Sequence, residues 1–346
     1  MRGDGQRVDV EQQTLPAVRP PEPARRTDPY LGGCRLHGDT PILMADGSTK
    51  PIARLQVDDL VYGTERRGNY RRYVPTEVRD HWSTVKPAYR VTLADGTTLI
   101  AGGDHRFLTE RGWKHVVGEM SGARRRPYLT MGNKLMGTGR FAAPPKDTVD
   151  YRRGYLCGVA RGDDSAAPPE EVRTRIDDYL GGDLAVSLPV EWPAEPSDEW
   201  RKGVLAGVVD ADGTFGHRIL RLPNLGTRTL AAVRDALGAF GFHYAVEDRR
   251  APNGKACVRV DGGLAEHLRL FHTVDPAAIA KRSIEGAAIK SGARLDVVAV
   301  ESLGIESPLF DITTGTGDFI ANGVVGHDRS DDHSRSGRPT RKPLID

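Results

Sequence analysis

A β-hairpin grammar runs through the early part of the chain, stops, and returns only near its end; this interruption most constrains the fold. From Thr40 to about His115 the stretches PILMADGSTKPIARL, DDLVYGTERRGNY and YRVTLADGTTLIAGGDHRFLT alternate short apolar strands with turn residues. Asp46-Gly47 and Asp95-Gly96 sit between alternating apolar residues, a strong short-range hairpin signal. The same pattern recurs in LDVVAVESLGIESPLFDITTGTGDFIANGVVGHD, whereas residues 150–285 mix helical and strand periods. The terminal strands need a partner sheet, so the predicted fold class is mixed: a discontinuous all-β domain carrying an inserted α/β domain.

Composition sets the setting. With 346 residues, 38% of them hydrophobic, the chain can bury a core in about two domains. Lys plus Arg outnumber Asp plus Glu by only 49 to 47, so nucleic-acid binding has to be argued from local clusters. Cys34, Cys157 and Cys257 lie far apart without a CxxC pair, which argues against a disulfide framework or a cysteine zinc site and fits a reducing, cytoplasmic setting. No apolar run approaches the ~20 residues of a membrane span, and the expectation is a soluble monomer with no membrane contact. Residues 1–33 and 329–346 are polar and aperiodic and read as disordered tails.

The β segments carry a resemblance. LHGDTPILMADGSTKPI resembles the N-terminal motif of inteins and Hedgehog-type (Hint) autoprocessing domains, GGDHRFLT their histidine-bearing second motif, and PLFDITTGTGDFIANGVVGHD their paired C-terminal motifs. The order is the family's. The resemblance implies a Hint horseshoe built from residues 34–140 and 291–328 that cuts its own backbone, its partners being its own flanking peptide segments. In that chemistry a Cys or Ser attacks the preceding carbonyl, turning an amide into a thioester or ester, while a histidine protonates the departing nitrogen or strains the bond. Cys34 is the candidate nucleophile and His105 the imidazole. His327 matches the helper at the far junction, Asp311 the aspartate that tunes proton transfers, and Asp328 the place of the cyclising Asn.

Four departures redirect that expectation. Arg35 stands directly before the Leu of the first motif, with Cys34 one residue earlier, and a one-residue shift along a strand turns a side chain to the opposite face. Gly102 replaces a hydroxyl residue, Asp328 lacks an attacking amide nitrogen, and Arg329 supplies no second nucleophile. Full splicing is therefore expected to be absent, leaving cleavage at Cys34 or slow cleavage after Asp328. The N-terminal tail, with DPYLGGC, reads as a candidate host remnant that faintly resembles a radical SAM cysteine loop, although no companion CxxC follows Arg329.

Within the insert, residues 141–290, GYLCGVARGDD at 154–164 and GVLAGVVDADG at 203–213 resemble the LAGLIDADG motif of homing endonucleases. Gly154, Gly158 and Gly162, like Gly203, Gly207 and Ala211, recur every four residues, so each helix has a face poor in side chains along which two backbones can approach. Each helix then delivers an aspartate, Asp163 and Asp212, at its C-terminal end, where two like charges at unfavourable dipole ends call for a cation. The resemblance implies Mg²⁺ on that pair and cleavage of double-stranded DNA. Strands are predicted near 217–223, 243–248 and 255–260, helices near 228–240 and 264–271. Arg218, Arg221, Arg249, Arg250, Lys255 and Arg259 would line a DNA-facing saddle, with Lys281 and Arg282 adding phosphate contacts. The stretch between Asp163 and Asp212 is too short for an equivalent first half, and Asp164 replaces the glycine expected there. Specific cleavage of a long site is thus expected to be weakened; the alternative reading is a noncatalytic DNA-binding relic. Whether residues 116–150, including Arg124-Arg125-Arg126, belong to the β domain or bridge to DNA is left open by the sequence.

Overall fold

The computed structural model describes residues 35–118, 127–160, 168–181, 190–216, 219–247, 256–289 and 294–328. Cys34, Arg124, Arg125, Arg126, Asp163, Asp164, Arg218, Arg249, Arg250, Lys255 and Arg329 lie outside the described residues.

The chain is rich in sheet. Its first run comprises β1 (Leu36–His37), β2 (Pro41–Leu43), β3 (Thr49–Pro51), β4 (Leu60–Arg67), β5 (Tyr70–Leu93), β6 (Thr98–Gly102), β7 (Arg106–Thr109) and β8 (Gly112–His115). The two expected Asp-Gly turns form. Gly47 and Gly96 hold φ of +81° and +84°, and Asp46 and Asp95 accept from the backbone N–H two residues on, joining β2 to β3 and β5 to β6.

Helices α1 (Val149–Val159), α2 (Glu170–Gly181) and α3 (Asp198–Asp212) follow. Thr148 and Ser197 cap α1 and α3 by accepting from the N–H three residues on. After α3 come β9 (Thr214–Gly216), β10 (Ile219–Leu225), α4 (Thr227–Ala239), β11 (Tyr244–Glu247), β12 (Ala256–Val260), α5 (Gly263–Val274) and the short α6 (Ile279–Arg282). The strands form one antiparallel sheet in the order β11-β12-β10-β9, whose inward residues Leu220, Leu222, Val258 and Val260 pack with Val204, Val208 and Val209 of α3 in one core. These elements fall close to where the sequence places them.

The chain then returns to the β body through β13 (Val297–Thr314), β14 (Asp318–Ala321) and β15 (Val324–His327). Two sheets result, one ordered β13-β1-β6-β5-β4 with β13 also paired to β5, the other β3-β2-β14-β15-β7-β8. In both, strands from the two ends of the chain interleave. Leu36, Ile42, Val91, Leu99 and Phe107 share a core with Ile312, Phe319 and Val324, so neither end buries its apolar face without the other.

The open question about residues 116–150 is answered for those described. Leu129 and Leu135 are buried in the β core, Met136 N–H donates to Leu108, and Thr138 N–H donates to Gly323. Residues 284–289 run along β5, with Ala287 accepting from Tyr73 N–H and Ile289 N–H donating to Arg71. The α/β part meets the β part through a shared cluster of Leu43, Tyr62, Tyr73 and Ile320 with Leu268, Ile284 and Ile289, and through His272 Nε2, 3.0 Å from the Gly47 carbonyl. Among the described residues, no helix is long and apolar enough to cross a membrane.

Candidate functional site

β1 is only two residues long, yet it joins the two distant motifs. Leu36 lies opposite Phe310 of β13 on one side and Ala101 of β6 on the other. Extending that antiparallel register by one residue sets Arg35 between Asp311 and Gly102, and Gly102 N–H donates to the Arg35 carbonyl at 2.9 Å. Arg35 is only 3% exposed, so the guanidinium-bearing side chain directly before Leu36 is buried. Gly102, opposite Arg35, makes room for the Asp104 carboxylate. A β-carbon there would stand 2.9 Å from Asp104 Oδ1, and the Asp104 carboxylate meets Lys86 Nζ at 2.5 Å and Arg35 Nη1 at 3.9 Å.

The second junction is β7 against β15, with Gly326 opposite Phe107. His105, just before β7, is fully buried edge-on to Phe107, with ring centroids 4.4 Å apart. Among the described residues, neither ring nitrogen has a hydrogen-bond partner. Burial, then the charges of His327, Arg106 and His115, push the His105 pKa down to about 3, so the ring is neutral at neutral pH.

His327 closes β15 beside Trp113, ring centroids 4.8 Å apart. Its Nδ1 lies 3.2 Å from Arg106 Nη2 and also against the main-chain carbonyl of Asp328. A neutral ring serves one of these at a time: it accepts from Arg106 or, with the proton on Nδ1, donates to the carbonyl. Burial first and Arg106 second lower its pKa to about 4. That carbonyl belongs to the peptide bond leading to Arg329.

Asp328 is fully buried and anchored by its neighbours. Its Oδ2 accepts from Thr314 N–H at 2.5 Å, the Thr314 hydroxyl lies 2.8 Å away, and its own N–H donates to Gly317 at 3.2 Å. The Thr314 hydroxyl also lies 3.0 Å from the Asp318 carbonyl, one proton serving two acceptors. Asp318 in turn accepts from Thr64 N–H and from Arg71 Nη1, each at 2.6 Å, and from the Thr64 hydroxyl. Burial raises the Asp318 pKa to about 6 against the pull of Thr64 and Arg71. Asp311, buried with Oδ1 accepting from Ile312 N–H, is raised well above the usual carboxylate range by burial and next by the Asp328 charge. The structure thus brings His105, Asp311, His327 and Asp328 together, with Arg35 among them.

The helix pair forms a second candidate site. A β-carbon on Gly154 would stand 2.2 Å from the Trp200 carbonyl oxygen, one on Gly158 2.4 Å from that of Val204, and one on Gly207 2.2 Å from that of Tyr155. The glycine faces therefore touch backbone to backbone. Because the contacts advance together along both helices, α1 and α3 run in the same direction, with Val159 at the end of α1 beside Gly207 of α3. Asp210, by contrast, turns inward to Tyr155 Oη and the N–H groups of Ala277 and Ala278. Among the described residues, no three His, Cys, Asp or Glu side chains converge as a metal site.

Of the expected DNA contacts, Arg221 and Arg259 stand opposite each other on β10 and β12, and both are engaged by Glu247, at 3.5 and 3.0 Å. Lys281 Nζ donates to the Val209 and Asp210 carbonyls at 2.6 and 2.9 Å, closing the C-terminal end of α3. Arg282 binds Asp275 at 2.7 Å. Sequence reasoning missed Arg106, Thr314, Asp318, Thr64 and Arg71; the Asp that follows a glycine before Phe319 was the one local hint.

No family model matches the chain. It is similar to the replicative DNA helicase DnaB of Rhodothermus marinus, 40% identical over 86 residues, a match spanning 24% of this chain and only 9% of that protein. Its structural neighbours include DnaB inteins. The Ssp DnaB mini-intein variant M86 is 14% identical, covering 86% of this chain and 96% of that one with a TM-score of 0.35. A DnaB intein from Synechocystis is 12% identical, covering 86% and 99%, also with a TM-score of 0.35. The gp41-1 intein is 26% identical, covering 30% and 69% with a TM-score of 0.23.

Proposed function

We propose that this chain is an intein-type self-processing protein whose remaining chemistry is cleavage of its own backbone after Asp328, and that its insert derives from a Mg²⁺-dependent, LAGLIDADG-type DNA endonuclease. One observation carries the first part: His327 touches the carbonyl of the bond after Asp328, and Asp328 presents its carboxylate in the same closed centre as His105 and Asp311.

The chemistry needs one water. A carboxylate oxygen of Asp328 attacks its own main-chain carbonyl carbon, the new C–O bond closes a five-membered anhydride, and the C–N bond to Arg329 breaks. The departing nitrogen takes a proton from water, and the hydroxide left opens the anhydride to two carboxyl groups. His327, with its proton on Nδ1, stabilises the oxygen on which charge develops. Arg35 leaves the amino-terminal junction without a thiol at the motif position, which sets splicing aside.

In the insert, the parallel glycine-faced helices support the paired-carboxylate reading, with Asp163 and Asp212 as the holders of Mg²⁺. Bound there, the ion supplies an activated water for phosphodiester hydrolysis. Double-stranded DNA is the proposed substrate, and Arg218, Arg221, Arg249, Arg250, Lys255 and Arg259 the proposed contacts.

Mass spectrometry of the purified chain during incubation tests the processing reading. Loss of residues 329–346 is expected, and Asp328→Ala is expected to stay whole. A parent chain that remains intact as long as the variant contradicts it.

A further inference from the structure

We infer that Arg35 is a positioning residue of the processing centre: its buried guanidinium, opposite Asp311 and beside Asp104, is the fixed counter-charge that lets the Asp328 carboxylate act as an ionised nucleophile next to Asp311. The inference rests on the cleavage reading above and assigns a task to the residue that breaks the family motif.

Placement comes first. The strand register holds Arg35 between β13 and β6, its carbonyl tied to Gly102 N–H, and its side chain is 3% exposed. A buried cation is costly unless opposite charge faces it. The groups facing this centre are Asp311 from β13, Asp328 after β15, Asp318 from β14 with its partner Arg71 of β5 at 2.6 Å, Asp104 from the turn before β7, Lys86 from β5, and the imidazoles of His105, His115 and His327 with Arg106. Lys86 is already bound to Asp104 at 2.5 Å, and Arg106 reaches towards His327. Both Asp311 and Asp328 are fully buried. Like charges so confined resist ionising together, and Arg35 is the cation that acts on Asp311 from inside.

The chemical consequence follows. Attack on the carbonyl requires an ionised Asp328 oxygen, and the Thr314 donors at Oδ2 favour that form. With Arg35 present, one negative charge is held while Asp311 keeps its proton. Without Arg35, the pair gives up that charge at higher pH, and the acid limb of cleavage moves upward.

The test follows two readouts across pH in the full chain, in Arg35→Met and in Arg35→Lys: release of residues 329–346 by mass spectrometry, and the Asp311 carboxyl by ¹³C NMR. Arg35→Met is expected to move the Asp311 titration and the acid limb of cleavage up by about one unit, slowing cleavage about tenfold below the new midpoint. Arg35→Lys is expected to keep both near the parent. An Asp311 titration unmoved in a folded Arg35→Met chain overturns the inference. If the parent does not cleave at all, the cleavage reading fails by itself, while the carboxyl titration still decides the role of Arg35. Should Arg35→Met not fold, Arg35→Met/Asp311→Asn is expected to recover the fold, charge and counter-charge leaving together; a double variant as unfolded as the single one overturns the inference.

Discussion

Gly326 of β15 leaves only enough space for the ring of His105: a β-carbon on Gly326 would stand 3.1 Å from His105 Nε2. That contact joins a residue near the end of the chain to one before β7, and it depends on the strand pairing of Gly326 with Phe107. Gly326→Val is predicted to lower stability by about 1–3 kcal/mol, because the branched side chain must displace a fully buried ring. Chemical denaturation of the two proteins measures it.

A depressed histidine pKa fixes how stability responds to acid. His105 falls from 6.5 to about 3 on burial, so the folded chain binds the proton less readily than the unfolded one. Its contribution is fully present above the unfolded value and is lost as pH falls from 6.5 towards 3. His327, lowered to about 4, acts in the same sense, while Asp318, raised to about 6, favours the folded state below 3.8 and loses that contribution as pH rises through 6. Thermal melts between pH 7 and pH 4 should therefore fall less steeply in His105→Asn than in the parent, whatever the difference in absolute Tm. Parallel slopes would place the acid sensitivity elsewhere.

The helix pair gives a packing prediction. Gly207→Ala would place a methyl 2.2 Å from the Tyr155 carbonyl oxygen, so the helices must separate, at a cost of about 1–3 kcal/mol or more. Gly154→Ala lies on the same seam, and the double variant should cost less than the sum of the singles, since the first separation makes room for the second methyl. Urea titration of the four proteins decides this.

Lys281 separates two roles. Its ammonium donates to two carbonyls at the end of α3, so Lys281→Met should lower stability by about 1.5–3 kcal/mol, the range for a hydrogen bond to a charged group. The salt dependence of DNA binding should be unchanged. A slope reduced by about one with no loss of stability would return Lys281 to the DNA-contacting set.

The endonuclease reading makes its own prediction. Asp212→Ala should abolish Mg²⁺-dependent nicking of duplex DNA while leaving helix packing intact, because Gly207 and not Asp212 forms the seam. Equal nicking by the two proteins would remove the catalytic role.

Legibility in the sequence followed the range of the interactions. The Asp46-Gly47 and Asp95-Gly96 turns could be read because turn chemistry lies within neighbouring residues, and the glycine seam because a four-residue spacing fixes one helix face. His105, Asp311, His327 and Asp328 were found by motif order. Asp318 and Arg71 were not, because their pairing joins strands hundreds of residues apart, and Thr314 was not, because its bonds to Asp318 and Asp328 follow from how β13, β14 and β15 fold back on one another, which no local period encodes. Residues 127–139 were ambiguous for a related reason: they join the sheets through backbone bonds to Leu108 and Gly323, and their core residues Leu129 and Leu135 lie too far apart to show a strand period. Arg35 was visible only as a broken motif; its burial between Asp311 and Gly102 required the neighbouring strands.

The account depends on a single closed centre assembled from both ends of the chain, and NMR in the intact protein measures this directly. Nuclear Overhauser contacts from the His105 ring protons to the Gly326 α-protons and to the Phe107 ring are predicted. A His105 ring in contact only with residues before β9, with none to β15, would contradict the account.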